Sequence, residues 1–153
     1  MDHADSQPAL TEALALGADH AGYHLKEHLK DILQGFNLRI SDLGTDSPDA
    51  SDYPEYAHAV AREVAEGRVA RGVLVCGTGI GMAMAANRHR GVRAAVCYSE
   101  EQATYSRSHN NANVLCLAAR ITDAQTAEKI LKIFLDTPFD GGRHERRIGQ
   151  LEL

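Results

Sequence analysis

The pattern of apolar and polar positions switches repeatedly between a run or alternation and a helical period. Ala13 to Ala18 is a short apolar run that ends in Asp19-His20-Ala21-Gly22. Leu25, Leu29, Ile32 and Leu33 then recur at helical spacing, and Gly35 stops that helix. Asn37 to Leu43 alternates as a strand, ends at Gly44 and gives way to a polar loop from Thr45 to Asp52. Pro54 stands where a helix favours its first residue, and Tyr56 to Glu66 carries that helix until Gly67. Gly72 to Cys76 is a continuous apolar strand, the pattern of a strand buried on both faces. It runs into Gly77-Thr78-Gly79-Ile80-Gly81 and a small-residue helix from Met82 to Arg88.

Val92 to Cys97 is the next strand. Ser99 is placed to cap the helix that follows it, and Val114 to Leu117 is a further strand. Thr122-Asp123 caps a helix from Ala124 to Leu135, and the glycine-led, basic segment Asp140 to Leu153 ends in a short helix. Strand and helix thus alternate five times, which predicts an α/β fold with a parallel sheet and helices on both faces. Ligands in such sheets bind beyond the carboxyl ends of strands. Function is therefore expected at Asp19-His20, Asp42, Cys76 to Gly81, Cys97-Tyr98 and the flanks of the fifth strand.

The length of 153 residues fits one domain. Acidic residues outnumber basic ones 21 to 16, a formal charge of −5, which argues against a general nucleic-acid binder but allows a local basic pocket. No apolar run approaches the roughly 18–20 residues of a membrane span. The segment Met1 to Glu12 is acidic and polar, unlike a signal or transit peptide, and reads as a flexible lead. Three cysteines, Cys76, Cys97 and Cys116, show no CxxC spacing. They suit reduced thiols in a cytoplasmic protein, with Cys97 and Cys116 in the core.

The densest chemistry is Cys76-Gly77-Thr78-Gly79-Ile80-Gly81. Alternating glycines let the backbone approach a ligand and turn N–H groups toward an anion. A Walker loop would need a Lys after Gly81, and the dinucleotide fingerprint would need a glycine at Met82. Cys76 at the mouth of this loop is favoured as a thiolate by the nearby amides, giving a base or nucleophile. His20, His24 and His28 are four apart, but no acidic or Cys ligand completes a metal set, so no metal is expected. Ser108-His109-Asn110-Asn111 is either a plain loop or the source of a general acid/base. Arg143 and Arg147, four apart, project from one helical face and can clamp a phosphate, or form a solvated tail.

Seven stretches in series, GADHAG (17–22), LGT (43–45), DYPEYA (52–57), GVLVCGTGIG (72–81), AAN (85–87), SRSHNNANVL (106–115) and GGRHERR (141–147), resemble the type B ribose-5-phosphate isomerases and their galactose- and allose-6-phosphate relatives. The resemblance implies a Rossmann-like three-layer α/β/α sandwich with a five-stranded parallel sheet. It implies a cofactor-free, metal-free isomerase of D-ribose 5-phosphate and D-ribulose 5-phosphate. It also implies a homodimer, sometimes a tetramer, with active sites shared across the interface.

By position, the resemblance makes Cys76 the proton-transferring base. One subgroup of the family has Cys there, and the other has Glu where this chain has Met82, which cannot take a proton. The amides from Gly77 through Gly79 to Gly81 would stabilise an enediolate, and Thr78 would orient the thiol or shuttle a proton. His109 resembles the ring-opening acid/base, with Asn110 on a sugar hydroxyl. Asp19 would bind hydroxyls near the ring oxygen, and Tyr53 would line the sugar pocket. His20, Arg143 and Arg147 resemble the phosphate clamp, Arg120 being a further candidate, and residues 137–153 its C-terminal tail. Asp52 is read only as a helix cap. Another phosphosugar is the nearest alternative, with pocket residues near Tyr53 and Tyr98 setting pocket depth; a non-catalytic nucleotide-binding module or partner subunit is a further one.

Overall fold

A computed structural model describes residues 13–153; the N-terminal lead read from the sequence lies outside them. The strands are β1 (Ala13–Ala18), β2 (Arg39–Asp42), β3 (Arg71–Cys76), β4 (Ala94–Val96) and β5 (Val114–Ala118). The helices are α1 (Tyr23–Leu33), α2 (Tyr53–Ala65), α3 (Ile80–Ala86), α4 (Glu100–Ser108), α5 (Ala124–Asp136) and α6 (Arg143–Ile148). All strand pairings are parallel, in the order β2-β1-β3-β5-β4. Among the described residues, no helix is long and apolar enough to cross a membrane.

Side chains alternate across the sheet, so each strand feeds two cores. Leu14, Leu16, Val73, Val75, Leu115 and Leu117 pack with α1, α4 and α5. Ala15, Leu74, Cys76 and Cys116 pack with α2 and α3 on the other face. The continuous apolar runs of β3 and β5 follow from this two-sided burial. Caps expected from the sequence behave unequally. Ser99 and Asp123 accept from the N–H groups of Gln102 and Thr126. Asp52 holds the cap position of α2 but makes no side-chain cap bond there.

Two features align the carboxyl ends of the central strands. Gly22 packs so closely that a Cβ would lie 2.3 Å from the Val75 carbonyl oxygen, so only glycine fits. Beyond the strands, the Asp19 N–H donates to Val75 O and the Ala119 N–H to Cys76 O. The chain segments leaving β1, β3 and β5 therefore run side by side over the sheet end.

Candidate active site

Asp19, Cys76 and Arg120 meet where those three strands end. With His20, Tyr53, Gly77, Thr78 and Gly81 they line a cavity of about 230 Å³. β3 is central and delivers Cys76; β1 on one side delivers Asp19-His20, and β5 on the other delivers Arg120. Asp19 is buried and caps the short turn His20–Gly22, its Oδ1 accepting from the Gly22 N–H at 3.1 Å. That turn orients His20.

His20 is held from both sides by one residue. Its N–H donates to Ser51 Oγ at 3.1 Å, and the Ser51 N–H donates to its Nδ1 at 3.1 Å. The same Nδ1 also lies 3.1 Å from Ser51 O, so the backbone of one residue meets this ring nitrogen in either tautomer and sets the orientation of the ring. The Arg120 guanidinium lies over Gly77, where a Cβ would meet Nη1 at 3.0 Å. Tyr53 covers Gly81 in the same way, since a Cβ there would sit 2.6 Å from ring carbons. Glycines 77 and 81 thus exist to let an Arg and a Tyr lie flat against the loop.

The Gly79 N–H donates to Cys76 Sγ at 3.1 Å, with Gly79 in the left-handed region at φ 77°. One amide expected to serve the substrate is therefore turned onto the sulfur instead, and Gly79 does not line the cavity. Thr78 Oγ1 accepts from the Ile80 N–H at 3.3 Å. Met82 is fully buried behind Cys76, away from the cavity. Cys97 and Cys116 are core residues, as expected, and burial pushes both thiols up. Asp42, a strand-end candidate from the sequence, belongs elsewhere: it grips Lys26 and Lys30.

His109, Asn110, Arg143 and Arg147 are not in this cavity. Because the strands are parallel, α4 runs back to their amino ends, where His109 follows its last turn. The segment from Asp140 docks there too, the Asp140 N–H donating to Ser108 O. The strand β5 separates the two places by 5 residues, about 16 Å at roughly 3.3 Å per residue. At this second place His109 lies between Tyr105 (ring centroids 4.7 Å apart) and the buried His144, stacked at 4.3 Å and 12°. Burial, then Arg143, His109 and Arg147, lower the pKa of His144 against the opposing pull of Asp140. Gly141 and Gly142, at φ 70° and 59°, start α6 so that Arg143 and Arg147 share an exposed face.

Among the described residues, His109, Asp140 and His144 form the grouping whose ligating atoms approach as a metal set, within 4.8 Å of one another. Parallel stacked imidazoles direct their in-plane lone pairs side by side, not at one point, so an ion would first have to unstack them. Arg107 holds the turn that carries His109: it bonds Asn111 Oδ1 (2.9 Å), Ala112 O (2.6 Å) and Thr137 O (3.2 Å). Burial, then Arg71 and Arg93, push its guanidinium down to about 10. Sequence reading missed Arg107 and His144, although both sit inside stretches that carried the family resemblance.

A family profile described as Ribose/Galactose Isomerase matches residues 14–151, and this chain belongs to that family of isomerases. It is 41% identical to the ribose-5-phosphate isomerase B of Escherichia coli over 135 residues, 88% of this chain and 91% of that one. The crystal structure of a ribose 5-phosphate isomerase from Thermotoga maritima superposes with a TM-score of 0.89 at 47% identity, covering 92% of this chain and 97% of the other. The Mycoplasma genitalium ribose-5-phosphate isomerase B, solved with bound ribulose-5-phosphate, gives 0.88 at 41% identity over 91% of this chain and 93% of that one. The parallel five-stranded α/β sandwich expected from the sequence is the fold of these enzymes.

Proposed function

We propose that the chain interconverts D-ribose 5-phosphate and D-ribulose 5-phosphate, with Cys76 as the base and each active site completed by a second copy of the chain. The observation that carries the reading is the cavity at the ends of β1, β3 and β5, which sets Cys76 among backbone amides and beside two cationic or donor side chains, His20 and Arg120.

The choice of base follows the family pattern: the alternative base position carries Met82 here, which cannot take a proton and lies buried away from the cavity, whereas Cys76 lines it. The Cys76 thiolate, already accepting one amide N–H, removes the C2 proton of the open-chain aldose. The electron pair flows to the C1–C2 bond, and the carbonyl oxygen gains charge met by loop amides such as Gly77 and Gly81. Returning the proton to C1, while the proton of the C2 hydroxyl passes to the negatively charged O1, leaves a C2 carbonyl and a C1 hydroxyl and so gives the ketose.

Ring opening and phosphate binding are assigned to His109 with Asn110, and to Arg143 with Arg147. These stand at the amino end of the sheet, so one chain cannot apply both sets to one substrate. A two-fold dimer that sets the amino-end cluster of one copy against the carboxyl-end cavity of the other brings them together twice. Two apolar features support such an interface. Ile80 and Met84 are exposed on α3 beside the cavity. A groove of about 630 Å³ follows the edge strand β4 and is lined by Val92, Ala94, Val96, Tyr105, Ile148 and Leu151. The free, buried thiols fit a reducing cytoplasm.

The test is a metal-free isomerase assay on D-ribose 5-phosphate, D-allose 6-phosphate and D-galactose 6-phosphate. The expected result is a clear kcat/KM preference for the pentose phosphate; a hexose preference moves the substrate and keeps the chemistry. Sharing is tested by mixing two inactive variants, Cys76→Ala and His109→Ala, after co-refolding. Random pairing makes half the dimers mixed, each with one intact site, so activity should return to about a quarter of wild type. No recovery sinks the shared site. Arg147→Ala should raise KM roughly tenfold or more with kcat little changed, through loss of a charge-assisted phosphate contact; an unaltered KM removes Arg147 from the clamp.

A further inference from the structure

We propose that Tyr98 is a positioning residue for the Cys76 thiolate, acting through the peptide group between Thr78 and Gly79. The inference rests on reading Cys76 as the base. The Tyr98 hydroxyl donates to Thr78 O at 3.0 Å. The N–H of that same peptide unit, on Gly79, donates to Cys76 Sγ at 3.1 Å. The two bonds form a chain: phenol O–H to carbonyl, amide N–H to sulfur.

A hydrogen bond accepted by an amide oxygen polarises the amide and strengthens what its N–H donates. The gain is largest when the acceptor carries full charge, so the chain stabilises thiolate over thiol. Tyr98, near which the sequence reading placed a determinant of pocket depth, does not line the cavity, whereas Tyr53 does. Tyr98 follows β4, and its own N–H is fixed to Gln102 Oε1 at 2.6 Å.

Gly79 is left-handed, and a Cβ on it would lie 3.2 Å from Val96 Cγ1 and 3.3 Å from the Leu117 carbonyl group, so the position demands glycine. The Tyr98 bond holds the preceding peptide in the orientation that points its N–H at the sulfur. Other titratable groups around Cys76 are Asp19 and His20 after β1, Tyr53 on α2, Arg120 after β5 and Cys116 within β5. None of these touches the Thr78–Gly79 peptide through a side-chain hydrogen bond among the described residues, so Tyr98→Phe isolates the relay.

The experiment measures the pH profile of Cys76 alkylation by iodoacetamide in wild type and Tyr98→Phe, with Cys97 and Cys116 silent because they are fully buried. The variant should alkylate roughly 3- to 10-fold more slowly near neutral pH, with its midpoint displaced upward. The acid limb of kcat/KM should move in the same direction, while KM above that limb stays unchanged. A merely structural tyrosine would leave both profiles in place, and an unshifted alkylation midpoint overturns the relay. Should Tyr98→Phe not fold, 3-fluorotyrosine placed at position 98 keeps the ring and donates more strongly. It must then displace the midpoint downward, or the relay is wrong. Cys76→Ser separates the two readings. A fully active serine variant removes Cys76 as the base, whereas the alkylation profile still judges the relay.

Discussion

Cys76→Ala should lower kcat by ~10³-fold or more while KM stays within about threefold of wild type. The base acts on the C2 proton only in the transition state, whereas binding energy comes from contacts to the phosphate and hydroxyls. Removing one buried sulfur from the end of β3 leaves a small void beside Gly79 and disturbs no ion pair. The fold should therefore survive, and the variant should still bind the substrate. Steady-state kinetics with a binding measurement on the inactive variant checks both halves. Near-wild-type turnover would remove the thiolate mechanism and turn attention to Asp19.

Asp42→Ala should destabilise the protein by about 3 kcal/mol, a larger loss than Lys26→Met. Lys26 is 1% exposed, and its ammonium donates to both Asp42 oxygens at 3.0 and 2.9 Å and to Thr45 O at 2.6 Å. Deleting the carboxylate strands a buried cation. The cost lies at the lower end for such sites because Glu27 Oε1 remains 3.2 Å away. Lys26→Met removes the charge itself, keeps most of the stem's volume and leaves Asp42 paired with Lys30 at 2.7 Å. Denaturant unfolding of the two variants gives the comparison, and equal losses would contradict it.

The same pair predicts a pH dependence. Burial raises the pKa of the Asp42 carboxyl, but bonds from Lys30, Lys26 and the Gly44 N–H outweigh it and hold the group below its ordinary range. A carboxyl with a lowered folded value contributes fully above the unfolded value near pH 4 and loses its contribution as pH falls through the folded one. The stability gap between wild type and Asp42→Ala should accordingly narrow below about pH 4.

Much of the architecture was legible because the relevant forces are local. A run such as Gly72 to Cys76, apolar at every position, short, bounded by glycine and rich in valine, reads as a strand covered on both faces. Ser99 and Asp123 cap the helices expected of them because a cap needs only its own next three residues. The glycine loop, the Cys76 and Met82 pair and the glycine-led Arg143 and Arg147 could be read from spacing and resemblance. Element ends shifted by a few residues: the strand expected over Val92 to Cys97 is paired only over Ala94–Val96.

What the sequence by itself determined is the list of elements, their alternation and the residue types available to each strand end. Local periodicity and glycine placement encode those directly. Only the tertiary structure decided which strand ends meet. Parallel strands buried on both faces carry no pairing code, so the order β2-β1-β3-β5-β4 could not be read from their composition. That order puts Asp19, Cys76 and Arg120 in one cavity, while the backward run of α4 sends His109 to the opposite end of the sheet. Lys26 reads as a surface residue of an amphipathic helix, yet Asp42, 16 residues on, turns it inward. Tyr98 meets Thr78 across 20 residues for the same reason. Contacts between residues far apart in the chain depend on the packing of whole elements, which no local window of sequence contains.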